Sequence, residues 1–159
     1  MQFSTKTTAP ERVRTGCVIL PVVGAKTFTA GGQAIDAAQG GRLSALLGKG
    51  DLKAKAGSTL LVHLEGPAAR ALLVSVGPDG ESTDKSFGDA ARAALRQVSQ
   101  LGSTDALSLL HEAPVAGRTL DWRIACQVLA AREVAYRFDA LKSKKEPDGK
   151  GTAAIAFAV

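Results

Sequence analysis

The chain predicts an α/β domain built on one mixed sheet, and three observations carry that reading. Short runs rich in Val, Ile and Leu, such as Cys17-Val-Ile-Leu-Pro-Val-Val23 and Arg70-Ala-Leu-Leu-Val-Ser-Val76, alternate with longer stretches whose apolar residues recur at helical spacing. Aromatic residues make up only 4%, so the core must rest on Leu, Val, Ile and many Ala, which favours close packing of helix on sheet. The length of 159 residues suits one domain, large enough to bury a core without a disulfide or a structural metal.

Taken in order, Gln2 to Thr7 alternates weakly and reads as an edge strand. Gly16 to Val23 is apolar without alternation, as a strand covered on both faces should be, and we expect it to end at Pro21. Gly31-Gly32 reads as a turn. Ile35, Ala38, Leu43, Leu46 and Leu47 then follow helical spacing up to the stop signals Gly48 and Gly50. The Gly40-Gly41 pair interrupts this pattern and leaves its first half as loop. Thr59 to Leu64 and Arg70 to Val76 flank a short link and predict an antiparallel hairpin. Gly77-Pro-Asp-Gly80 is a turn. Phe87, Ala91, Ala94, Leu95, Val98 and Leu101 form an apolar stripe opened by Asp84 or Ser86 as a cap. Asp105 to Leu110 reads as a strand and Thr119 to Leu141 as a long helix, the third main one. An exposed basic and polar loop over 142–151 precedes a last strand, Thr152 to Val159. The chain stops inside that apolar strand, the mark of a sequence cut from something longer.

Chemistry is harder to find. The sequence has no GxSxG, HExxH, CxxC or P-loop pattern. Cys17 and Cys126 sit in apolar surroundings without metal-ligand neighbours and read as buried free thiols of a reducing compartment. His63 and His111 form no HxH or HxxxH pair and read as structural. Neither Asp84 with Asp89 nor Glu112 with Asp105 makes a persuasive acid–base pair. No apolar run approaches the roughly 20 residues of a membrane span. Arg12 and Arg14 before the Cys17 run faintly resemble a signal peptide. Their distance from the start and the interruption at Pro21 point instead to a buried strand and a cytoplasmic protein.

Charge is the remaining signal, with a formal net charge of +5. Between Arg118 and Lys145 stand seven basic residues, Arg118, Arg123, Arg132, Arg137, Lys142, Lys144 and Lys145, against the acidic Asp121, Glu133 and Asp139. Such a face attracts phosphate backbones or an acidic partner, or is simply a solvated helix surface. No aromatic stacking platform accompanies it, which argues against single-strand readout.

Three stretches resemble the amino-terminal domain of the leucyl aminopeptidase family. They are Gly41-Arg-Leu-Ser-Ala-Leu-Leu-Gly-Lys-Gly-Asp-Leu-Lys-Ala-Lys-Ala-Gly57, Arg70 to Gly77 and Tyr136-Arg-Phe-Asp-Ala-Leu-Lys-Ser-Lys-Lys145. Ser75 departs from the glycine many relatives carry there. The resemblance spans the chain and implies a macrodomain-like mixed sheet flanked by helices in three layers, with 1–159 as one non-catalytic amino-terminal domain. It also implies a carboxy-terminal catalytic domain of the same chain holding two divalent metals, manganese or zinc. A homo-hexamer of the full-length aminopeptidase and, in some bacterial relatives, DNA binding are implied too. No catalytic or metal residue of the family maps onto this sequence, and no cofactor is expected within it. The alternatives are a DNA-binding accessory module, using the seven basic residues, and a stand-alone macrodomain-like nucleotide binder, for which the Gly-rich phosphate loop is missing.

Overall fold

The central strand explains the architecture of the chain. In the computed structural model, which describes residues 1–78, 80–141 and 152–159, strand β2 (Val18–Val23) lies between β5 (Arg70–Ser75) and β6 (Asp105–Ser108), parallel to both. Beyond β6 lie β7 (Ala154–Ala158) and then β1 (Gln2–Lys6), each parallel to its neighbour. On the other side β4 (Thr59–His63) runs antiparallel to β5, pairing Thr59 with Val74 and His63 with Arg70. The order is therefore β1-β7-β6-β2-β5-β4. A two-residue strand, β3 (Thr27–Phe28), folds back on the end of β2 through the left-handed pair Gly24-Ala25. Positive φ at both central residues gives the turn the twist that a tight hairpin needs.

Alternation along β2 divides the core into two. Cys17 and Ile19 face one cluster with Leu72, Val74, Phe87, Ala91 and Ala131, while Val18, Leu20 and Val22 face the other with Ile35, Leu43, Leu47 and Leu73. The expected three-layer arrangement follows, since a strand buried on both faces needs helices on both. Helix α3 (Asp84–Gln100) and helix α4 (Leu120–Leu141) cover the first face. Helices α1 (Ala30–Ala38) and α2 (Arg42–Gly48) cover the second. The Ala90, Ala91 and Ala94 face of α3 lets helix and sheet approach closely, with Phe87, Leu95 and Val98 as the larger fillers.

Pro21 does not end the strand; β2 runs on to Val23. Leu107 N donates to Cys17 O at 2.9 Å and Leu109 N to Ile19 O at 3.0 Å, so odd-numbered backbone groups of β2 face β6. The next acceptor in that ladder, Leu109 O, is taken by Glu112 N at 2.9 Å as the chain leaves β6 in a 3-10 turn. A proline is tolerated because its missing N–H falls where the ladder has already stopped. The same turn corrects the expected strand over Asp105 to Leu110, which closes at Ser108.

Other boundaries differ for local reasons. Gly31 and Gly32 are not a turn but the first turn of α1, and the described residues form four α-helices rather than three main ones. The small residues give room for close approach: a Cβ at Gly31 would lie 2.1 Å from Leu109 Cδ2, and one at Gly32 3.0 Å from Phe28, so a side chain there would displace its neighbour. Gly40 and Gly41, at φ +70° and +81°, break the pattern into α1 and α2. Asp36 spans the break, accepting from Leu43 N at 2.9 Å and Ser44 N at 3.1 Å. The cap of α3 is Thr83, whose hydroxyl accepts from Ser86 N at 3.1 Å while Ser86 Oγ accepts from Thr83 N at 2.9 Å. That reciprocal box uses a serine where Glu or Gln is usual. The expected loop over 142–151 lies outside the described residues.

His111 joins the 3-10 turn to the last strand. Its ring is 3% exposed, stands edge-on to Phe157, and holds Ala158 O through Nε2 at 2.6 Å. Burial pushes its pKa below the ordinary 6.5, with Arg123 acting in the same direction and the Ala158 carbonyl and Glu112 opposing. Nδ1 has no hydrogen-bond partner.

Two outcomes follow from this fold. Thr83→Ala should cost about 1 kcal/mol in denaturant unfolding, the usual loss for a side-chain cap. Because His111 is held neutral when folded, the unfolded chain binds the proton more readily. Stability should therefore fall as pH drops through about 6.5 towards the lower folded value. Replacing His111 with Gln, which can still reach Ala158 O, should flatten that part of the profile; an unchanged slope would remove His111 as its cause.

Candidate functional site

The parallel strands β2, β5, β6 and β7 all end at one edge of the sheet. In open α/β sheets ligands enter the crevice there, at the point where successive connections leave for opposite faces. Here that point lies between β2, whose connection runs to α1 and α2, and β6, whose connection runs to α4. The protein's own Glu112 lies there, partly buried. Oε2 of Glu112 accepts from Thr29 Oγ1 at 2.5 Å and from Gly31 N at 3.0 Å, so a carboxylate sits on the first turn of α1. The N-terminal end of a helix favours an anion, and this one already has it. Asp105, weighed with Glu112 as a pair, instead accepts from Gly16 N at 3.0 Å at the opposite end of β6.

The basic segment is less available than its sequence implies. Arg118 makes a two-pronged ion pair with Asp84, at 2.6 and 3.0 Å, and lies 4.8 Å from the Trp122 ring centre. That contact holds Asp84 below the usual carboxylate range and raises the guanidinium. Arg123 donates to His111 O at 2.7 Å, Ala113 O at 3.2 Å and Thr119 O at 3.3 Å, so it tethers α4 to the 3-10 turn. Arg132 is exposed. The side chain of Arg137, and Lys142, Lys144 and Lys145, lie outside the described residues.

Two surface hollows accompany these features. One, of about 270 Å³, lies between α3 and α4 and is lined by Arg92, Trp122, Cys126, Leu129 and Glu133. The other, of about 480 Å³, lies beside the β2–β3 turn and the end of α2. Both thiols are raised by burial, Cys17 to about 11, which makes them poor nucleophiles. Among the described residues, no three His, Cys, Asp or Glu side chains come together as a metal centre requires. The donor set that divalent metals need is not supplied by these residues.

Sequence reasoning missed Glu112 as a structural anion because its partners are 81 and 83 residues away. The available signal was Thr29 followed by Gly31-Gly32, a helix start without its own acidic residue.

Comparison with known proteins agrees with this geometry. Residues 19–145 match the model of the cytosol aminopeptidase family, N-terminal domain. A probable cytosol aminopeptidase of Nitrosospira multiformis is 38% identical over 148 residues, covering 92% of this chain and 29% of that protein. One from Methylobacillus flagellatus is 40% identical over 157 residues, covering 98% and 32%. The chain thus spans about three-tenths of the length of these relatives. In structure it resembles a mutant tomato leucine aminopeptidase, with TM-score 0.69 and 15% identity over all of this chain and 32% of that one. It also resembles a Trypanosoma brucei macrodomain, with TM-score 0.73 and 12% identity over 99% of this chain and 61% of that one. These likenesses show the fold, a macrodomain-type sheet. With four-fifths of its length under the family model, the chain belongs to the cytosol aminopeptidase family, as its N-terminal domain.

Proposed function

We propose that this domain is a structural and assembly unit of a two-metal aminopeptidase, working from outside the catalytic centre. The observation that carries the proposal is the match over 92–98% of this chain to proteins named cytosol aminopeptidases that are about three times as long. In that reading, removal of N-terminal amino acids from peptides takes place on the remaining part of the protein, in the cytoplasm. Manganese or zinc there would polarise the peptide carbonyl and activate water. The partners are the catalytic portion and, in a hexamer, other copies. Helix α4 offers a surface for such contacts, with Leu129, at the Trp122–Cys126 hollow, 65% exposed and Tyr136 75% exposed. No helix among the described residues is long and apolar enough to cross a membrane.

DNA is a second partner that the basic segment would attract. Since Arg118 and Arg123 are engaged internally, that contact would fall to Arg132, Arg137, Lys142, Lys144 and Lys145. A stand-alone nucleotide binder is disfavoured by Glu112, whose charge occupies the switch-point crevice and would repel a phosphate.

The 159-residue chain, supplied with manganese or zinc, should not hydrolyse a leucyl-amide substrate. Turnover with stoichiometric metal uptake would overturn the proposal.

A further inference from the structure

Helix α4 carries a stripe of large side chains that the fold leaves outside both cores. Leu129 and Tyr136 are the two most exposed of the large apolar side chains among the described residues. They stand seven residues apart, and seven residues before Leu129 comes Trp122. Seven residues fall only about 20° short of two full turns, so the three positions share one face. The structure bears this out at the near end, where Trp122 and Leu129 line one hollow of about 270 Å³ with Ala125, Cys126 and, from α3, Arg92. Trp122 is half-buried there, its ring 6.0 Å from that of Phe87 and 4.8 Å from the Arg118 guanidinium.

This stripe matches itself when reversed. In an isologous contact each residue meets the one placed equally far on the other side of the two-fold axis. With two α4 helices antiparallel and the axis at Leu129, Leu129 meets its own copy and Tyr136 meets Trp122 of the other chain. Size matches in the same register: the long Arg132 and Glu133 fall opposite the small Cys126 and Ala125. Charge does as well, because Ala125 and Cys126 share their hollow with Arg92, so Glu133 of one copy arrives beside a guanidinium of the other. The Tyr136 ring is delivered to the Trp122 end of that hollow, a knob for a hole on the same helix. Tyrosine, tryptophan and arginine gathered at the middle of a patch are the side chains that most often dominate association.

We propose that two copies of this chain pair through α4, antiparallel, with Leu129 on the two-fold axis. The inference names a partner for the assembly role proposed above and rests on that reading. From Trp122 to Tyr136 the seam is about 21 Å long at 1.5 Å per residue, a small interface of under about 1,200 Å², so the dimer is weak. Sedimentation of the 159-residue chain at concentrations up to about 1 mM should show a monomer–dimer equilibrium. Trp122 is the one tryptophan of the chain, and its emission should move to shorter wavelength over the same range as Tyr136 covers it. Leu129→Glu brings two carboxylates together on the axis and should abolish both signals. Tyr136→Ala should weaken the dimer at least about tenfold. Ala45→Glu, exposed on α2 across the sheet, should change neither signal. Urea unfolding establishes that each variant is folded. Three results would overturn the proposal: a chain still monomeric at about 1 mM, which leaves the stripe to some other partner; a dimer that neither Leu129→Glu nor Tyr136→Ala weakens; or an equal loss in Ala45→Glu. None of them bears on leucyl-amide hydrolysis, so failure of the pairing and failure of the proposed function are read separately.

Discussion

The contact of Glu112 with Thr29 and Gly31 is the constraint on which the functional edge of this domain depends. It ties the chain leaving β6 to the first turn of α1, across the gap between two strands whose connections go to opposite faces. Its neighbours are organised around the same turn. Glu112 N takes the carbonyl that would have continued the β2 ladder at Pro21, His111 reaches Ala158 on β7, and Arg123 on α4 holds the His111 and Ala113 carbonyls. One short 3-10 turn thus connects α1, β2, β7 and α4. These contacts make the turn a structural joint at the edge of the sheet.

Beneath this joint the sheet is stabilised in the ordinary way. β2 and β5 contribute fully buried aliphatic residues to both faces, and such side chains are worth roughly 1.5–3 kcal/mol each. Buried Ser108 and Gln127 are matched to each other: Ser108 Oγ donates to Gln127 Oε1 at 2.6 Å and accepts from Leu110 N, linking β6 to α4 through the first core. Arg70 Nη1 donates to Leu101 O at 3.1 Å at the end of α3, where a cation is favoured. The likeness to macrodomains is a likeness of this frame, and a shared frame does not by itself assign a function.

Much of the frame was legible because its signals are local. The stripe from Phe87 to Leu101 and the unbroken apolarity of Val18 to Val23 report burial directly, and the paired runs at Thr59 and Arg70 report a hairpin. Gly31-Gly32 misled because the close approach of Leu109 is set by a residue almost eighty positions away. Pro21 misled because its cost depends on where a neighbouring strand stops. The basic segment was legible as charge but not as availability: Asp84 and three backbone carbonyls engage two of its arginines. Family membership came from motif order, which is independent of any site.

The central claim is that Glu112 is a structural tie rather than a reactive or ligand-facing group. Urea unfolding of Glu112→Ala tests it most directly. Loss of the acceptor for Thr29 Oγ1 and Gly31 N should lower stability by about 1–3 kcal/mol, with the unfolding slope retained. A variant as stable as the wild type would contradict the claim and return the crevice to the list of open sites.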